Sequence, residues 1–239
     1  MLAAGVWLLC CPVAAGCTCS GDGGVFSDWI AGSEVTEGAV AAFGLDNCFA
    51  AEPVPEGVWA SMQGLSYIEN PHIGRNDLRY LRLLHKDAEG RILLGEMVCN
   101  AAVADDLVAI FKGLYLASYP IEKMLLTDKF GADDETQMRA NNTSCFCYRT
   151  IAGKSKLSKH ALGLAVDINP LYNPYVKRRG DGSLFVQPAN AAAYCDRDAS
   201  FPYKIVAGDA ACRLFAEYGF EWGGAWRTLK DYQHFELPD

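Results

Sequence analysis

No lysine or arginine precedes Arg75, histidine occurs only four times in 239 residues, and the one long apolar run, at the start, is too short to span a bilayer comfortably. Each shortage excludes something. Asp22, Asp28, Glu34, Glu37, Asp46, Glu52, Glu56 and Glu69 stand before Arg75 and equal in number the whole net charge of -8, so the remainder is balanced. Phosphate binding needs a clustered positive surface, and a nucleic-acid partner is therefore not expected. Ten cysteines fall well short of the density of a disulfide-built scaffold. No internal repeat or low-complexity block is evident, and the length suits one catalytic-sized domain, expected as a monomer.

The N-terminal "MLAAGVWLLCCPVAAGCTCSGDGG" passes from an apolar run through small residues to polar, glycine-rich sequence, the pattern of an export signal over residues 1–16. Ala14-Ala15-Gly16-Cys17 resembles a bacterial lipoprotein cleavage box, which implies Cys17 as a lipid anchor and a periplasmic or cell-envelope location; an uncleaved apolar N-terminus is the alternative. With those residues set aside, Cys19, Cys48, Cys99, Cys145, Cys147, Cys195 and Cys212 remain, an odd number that leaves one unpaired within the chain. Residues 17–56, free of basic side chains, suit a tether or loose lead-in, and residues 57–239 form the body.

Within the body, Val103, Leu107, Ile110, Phe111 and Leu114 recur at helical spacing over 102–118, and Pro120 stops the run. "IEKMLLTD" (121–128), "SCFCYR" (144–149), "LAVDIN" (164–169) and the closing "YQHFEL" read as strands. On such a strand Cys145 and Cys147 share one face as ordinary core residues. "GDAACRLFAEYGF" predicts a helix capped by Asp209, burying Leu214, Phe215 and Tyr218 and stopping at Gly219. Without regular βαβ alternation the class is α+β: a small antiparallel sheet with flanking helices.

"SKHALGLAVDINP" (158–170) places His160 and Asp167 seven residues apart in a small, apolar run. A continuous helix would separate them by about 10 Å along its axis, and a continuous strand would point them to opposite faces. A turn at Gly163 folding His160 back toward Asp167 resolves both failures. The C-terminal "EWGGAWRTLKDYQHFEL" supplies a third group, His234. Two imidazoles and a carboxylate suit Zn²⁺ with its fourth position left open for chemistry. Asp231 or Glu221 would act as the base, and Asp231, one turn from His234, is the better placed. His72 and His85 lie far from the motif and are not expected to bind metal.

Ser158-x-His160-x-x-Gly163-x-Ala165-x-Asp167, then Trp222-Gly223-Gly224-x-Trp226 and Asp231-x-x-His234-Phe235, resembles the zinc D-alanyl-D-alanine carboxypeptidases and cell-wall endopeptidases of the M15 peptidase family, of the VanY and endolysin type. The likeness is read over roughly residues 65–237, with "NNTSCFCYR" (141–149) similar to the family's segment upstream of the histidine motif. It implies a metal site in a cleft on a hedgehog-like sheet, His160, Asp167 and His234 as zinc ligands, Asp231 as base, and Arg149 as the cation steadying the carbonyl oxygen, with Arg139 its rival. The substrate it implies is a peptidoglycan stem peptide.

Ser158 would bind substrate backbone or carboxylate, or serve only as a turn-forming serine. Trp222 and Trp226 flank a Gly-Gly turn as cleft walls or as core. Seven basic residues between 149 and 180 face a single acid, Asp167, and would attract a peptide carboxylate or simply form a solvated loop. Two rivals use the same ligands. An Fe(II) oxygenase triad normally sits on a double β-sheet, which the helical patterns at 102–118 and 208–219 oppose. A zinc-containing binding module would lack the base, and Asp231 is present.

Overall fold

A computed structural model describes residues 23–151, 153 and 155–238. The expected signal over 1–16 and the anchor residue Cys17 lie outside the described residues. Among those described, no helix is long and apolar enough to cross a membrane.

Among the described residues there are six α-helices and ten strands: α1 (Gly23–Asp28), β1 (Glu34–Val35), α2 (Glu37–Phe43), β2 (Ala50–Pro53), α3 (Glu56–Met62), β3 (Leu78–Lys86), β4 (Ile92–Asn100), α4 (Ala104–Leu116), α5 (Asp134–Arg139), β5 (Ala165–Asp167), β6 (Tyr175–Arg178), β7 (Leu184–Gln187), α6 (Ala210–Glu217), β8 (Glu221–Trp222), β9 (Lys230–Asp231) and β10 (His234–Glu236). The class is α+β as expected, but with three small antiparallel sheets instead of one, ordered β1-β4-β3-β2, β5-β10-β8 and β7-β6-β9.

The long β3–β4 hairpin is the frame. Because side chains alternate across a strand, Leu81 and Leu83 enter the main core with α4, whereas Leu78 and Tyr80 enter a smaller cluster with Met62, Tyr67 and Phe146. The helical stripe Leu107, Ile110, Phe111 and Leu114 is buried as its spacing predicts, and Phe111 meets Phe215 of α6 edge-on. Asp209 caps α6 by accepting from the Cys212 amide at 2.9 Å. One expectation fails there. Tyr218 lies beyond the last helical turn and is exposed, and Ala211 with Phe215 forms the buried face instead.

Two expected strands also do not form. Over 121–128 the buried residues are Ile121, Met124, Leu126 and Thr127, which is not a two-residue period. The Asn142 side chain takes the place of a partner strand, accepting from Leu125 N at 2.9 Å and donating to Leu125 O at 2.9 Å. Residues 144–149 are threaded among several neighbours: the amides of Ser144, Phe146, Cys147 and Tyr148 donate to Asp167, Val98, His160 and Ser66 respectively, so no ladder develops. Cys145 and Cys147 are nonetheless both buried.

The expected lead-in, in its described part, is packed. β1 and β2 form the two edges of the four-stranded sheet, and Phe26, Trp29, Val35, Val40 and Phe49 are buried in the main core. Acidic composition does not report this, because the acids stand at the surface while the large apolar side chains described between them, Ile30 apart, are buried or half-buried.

Candidate metal centre

Ser158 opens a tight 3-10 turn, Lys159–Leu162, by accepting the His160 amide on its hydroxyl at 3.3 Å. Gly163 ends that turn in the left-handed conformation at φ 65°. A Cβ there would stand 2.5 Å from the Asn100 amide nitrogen, so glycine is required twice over, by its conformation and by the close approach of β4. The chain then enters β5, where Asp167 lies directly opposite His234 of β10. The fold-back expected at Gly163 thus brings together three groups distant in sequence.

His160 Nε2 lies 3.2 Å from Asp167 Oδ2, His234 Nδ1 lies 3.0 Å from Asp167 Oδ1, and the two nitrogens are 3.2 Å apart. Ligands about 2 Å from a tetrahedral zinc stand roughly 3.3 Å from one another. The outer nitrogens set the tautomers. His160 Nδ1 meets the Cys145 carbonyl at 2.6 Å, and His234 Nε2 meets Glu236 Oε2 at 2.9 Å; both oxygens accept, so each outer nitrogen carries a hydrogen and the inner nitrogen of each ring is the one able to bind a metal once free of a proton. Two nitrogens and one carboxylate oxygen converging in this way fit a zinc ion in number, spacing and chemistry.

Electrostatics agree. Burial works against the ionised form of Asp167, yet the charges and hydrogen bonds of His160 and His234 hold it well below the usual carboxylate range. Burial likewise disfavours charge on His234, but its hydrogen bonds to Asp167 and Glu236 prevail and push it up to about 10. A proton on Nδ1 therefore stands where a cation would, and a metal entering must displace it.

Asp231, on β9, has a buried Oδ1 with no hydrogen-bond partner among the described residues. Burial raises it to about 7, with Asp167 adding to the rise and the two histidines opposing it. Gly223 allows this closeness: a Cβ on it would lie 2.7 Å from the Asp231 carbonyl and 3.3 Å from His234 Cβ. A carboxylate poised near neutrality beside a cation site can both take and return a proton.

Residues 152–237 match the family model of D-alanyl-D-alanine carboxypeptidases, peptidase family M15. The match, confined to this segment, supports the M15 peptidase family. No curated protein and no solved structure matches the chain. The matched range holds His160, Asp167, Asp231 and His234, but it starts later than the roughly 65–237 over which the sequence resemblance was read, and Arg149 falls outside it.

Arg149 is brought near the M15 segment by its backbone: its carbonyl accepts the Ser158 amide at 3.1 Å. Its Nη2 pairs with Asp134 Oδ2 at 2.6 Å, and its buried Nε has no hydrogen-bond partner among the described residues. Arg139 pairs with Glu135 at 2.8 Å, one turn away on α5. The buried Ser158 hydroxyl caps the His160 turn, which is the turn-forming role. Trp226 is half-buried with its ring 5.5 Å from that of His234, whereas Trp222 packs against the core and donates from Nε1 to the Tyr232 carbonyl at 2.8 Å, a brace more than a wall. Glu221 is exposed.

His72 stacks on Tyr148 and His85 is buried against the Ile121 carbonyl at 2.7 Å, and neither is part of the His160–Asp167–His234 group. A surface hollow of about 430 Å³ opens between Lys86, Glu89, Ser118 and Pro202 and includes none of the ligands. Sequence reasoning missed Glu236 and the Cys145 carbonyl. The first had a signal: positions 234 and 236 of a strand share a face.

Proposed function

We propose that this chain is a zinc peptidase that hydrolyses an amide bond in peptidoglycan stem peptides, most simply as a D-alanyl-D-alanine carboxypeptidase acting outside the cytoplasm, anchored through Cys17. The observation that supports it best is the convergence of His160 Nε2 and His234 Nδ1, 3.2 Å apart, on the two oxygens of Asp167 at 3.2 and 3.0 Å, with the outer nitrogen of each imidazole held by an acceptor. Zinc held by His160 Nε2, an Asp167 oxygen and His234 Nδ1 would supply Lewis-acid chemistry, lowering the pKa of water toward neutrality and polarising a carbonyl.

The chain's own residues do the rest. Asp231 takes the proton of the attacking water at Oδ1 and returns it to the leaving amine, which its pKa near neutrality suits. Arg149, anchored by Asp134 through Nη2, offers its remaining N–H groups to the carbonyl oxygen as charge builds there. Trp226 bounds the site beside His234 and shields it from bulk water. Ser158 acts by holding the turn, and contact with substrate is a secondary role.

Incubating the zinc-loaded protein with muropeptides and weighing the products tests the reading. Release of D-alanine supports the carboxypeptidase, a cut between L-alanine and D-glutamate would make it an endopeptidase, and intact muropeptides with measurable binding would leave a zinc-containing binding module. Asp231→Asn should keep zinc and lose turnover.

A further inference from the structure

Arg197 is a half-buried guanidinium that no carboxylate pairs with among the described residues. Burial accordingly lowers its pKa. Removing a cation from water without an anion is unfavourable, so its contacts indicate what it is for. Nη1 donates to the carbonyls of Tyr172 (2.8 Å) and Tyr194 (3.2 Å), and Nη2 to Asn173 Oδ1 (3.0 Å) and the Ile205 carbonyl (2.8 Å). Its Cζ lies 4.4 Å from the centroid of the Tyr232 ring, close enough for a cation–π contact.

Tyr232 directly follows Asp231, and its peptide is held on both sides. Its amide donates to the Pro174 carbonyl at 3.3 Å, and its carbonyl accepts the Trp222 indole at 2.8 Å. Asp231 itself is paired across to Tyr175. Arg197 thus ties the 172–205 segment to the residue beside Asp231, whose Oδ1 has no partner among the described residues, gripping by its ring the same residue whose backbone Pro174 and Trp222 hold.

We propose that Arg197, acting through Tyr232, is a positioning residue for Asp231. The inference rests on the reading of Asp231 as the proton-carrying carboxylate. A planar fork supplies four bonds and a face to stack at once, which a lysine ammonium cannot do.

The test uses the zinc-loaded full chain with Arg197→Lys, Tyr232→Leu and the double variant. A displacement of about 1 Å at a reacting group lowers rate up to about a hundredfold. Arg197→Lys is therefore expected to lower kcat tenfold to a hundredfold with KM and zinc stoichiometry unchanged. Tyr232→Leu should do the same, and the double variant should be no worse than the weaker single one. Hydrogen exchange of the Tyr232 amide and the Trp222 indole should quicken in Arg197→Lys, a readout independent of turnover.

Should Arg197→Lys only lower the melting temperature, with kcat intact and effects adding to those of Tyr232→Leu, Arg197 merely holds the loop and the proposal is overturned. If Arg197→Lys fails to fold, Tyr232→Leu alone decides: full kcat overturns it. Asp231→Asn is run alongside. Full turnover there removes the base reading and this inference with it, whereas a dead Asp231→Asn beside fully active Arg197→Lys and Tyr232→Leu removes this inference alone.

Discussion

Replacing Gly163 by alanine tests the turn that makes the site. The residue sits at φ 65°, and an added Cβ would stand 2.5 Å from Asn100 N and 3.0 Å from the Cys99 carbonyl carbon, both backbone atoms that no rotamer change can move. The left-handed conformation costs a non-glycine residue about 1–2 kcal/mol, and forcing extra volume into a packed site costs about 1–3 kcal/mol more. Gly163→Ala should therefore destabilise by roughly 2–5 kcal/mol, which for a chain of this size lowers the melting temperature by about 10 °C near the middle of that range. The expected relaxation lengthens the Asn100 N to Gly163 O hydrogen bond, now 3.0 Å, and parts His160 from Asp167, so zinc affinity should fall as well. Two controls separate the contributions. Gly182→Ala, at φ 85° with nothing near the new Cβ, carries the conformational cost alone, and Gly180→Ala, open and without a positive φ, should be nearly neutral. Urea denaturation of the three variants, with zinc titrated by a competing chelator, is the assay. A Gly163→Ala protein as stable as Gly182→Ala, with zinc affinity unaltered, would refute the steric argument.

Removing zinc with a chelator should lower the melting temperature, since an ion at a hundred times its Kd adds about 2.7 kcal/mol; an unchanged melting curve would count against a shared site. His85, whose burial lowers its pKa to about 4 against an ordinary 6.5, resists protonation only when folded, so the apo-protein should lose stability as pH falls from about 6.5 toward 4. The loss is about 3 kcal/mol if the shift is fully expressed, and His85→Gln should flatten that part of the stability–pH curve in urea titrations. Trp226→Leu, by opening the wall beside His234, should raise KM several-fold and spare zinc binding, whereas unchanged KM would make Trp226 plain packing.

The His160–Asp167 half of the metal group is legible in the sequence because its logic is local, neither a helix nor a strand being able to join the two and Gly163 able to make the bend, whereas His234, 67 positions from Asp167, is legible only as part of the separate C-terminal motif. The α4 stripe was legible for a similar reason, since five apolar residues repeat at one helical face. What escaped was everything decided by a distant partner. Residues 121–128 look extended, yet the Asn142 amide satisfies Leu125 in place of a strand, and a side chain 17 positions away leaves no periodic trace. Glu236 reads as one more terminal acid until β10 sets it on the same face as His234. Arg149 was singled out through resemblance, and its grip on Asp134 follows from where α5 happens to pack. The early acidic stretch was misleading because charge reports on surface, and the same stretch carries Phe26, Trp29 and Val40 into the core.

The central claim is that His160, Asp167 and His234 share one divalent ion. Crystals of the zinc-loaded protein, with anomalous difference density collected at the zinc edge, test it most directly. The account expects a single strong peak about 2 Å from His160 Nε2, an Asp167 carboxylate oxygen and His234 Nδ1, with His234 Nε2 still on Glu236. A peak elsewhere, or an ion bound to His234 through Nε2 with the Glu236 contact broken, would contradict it.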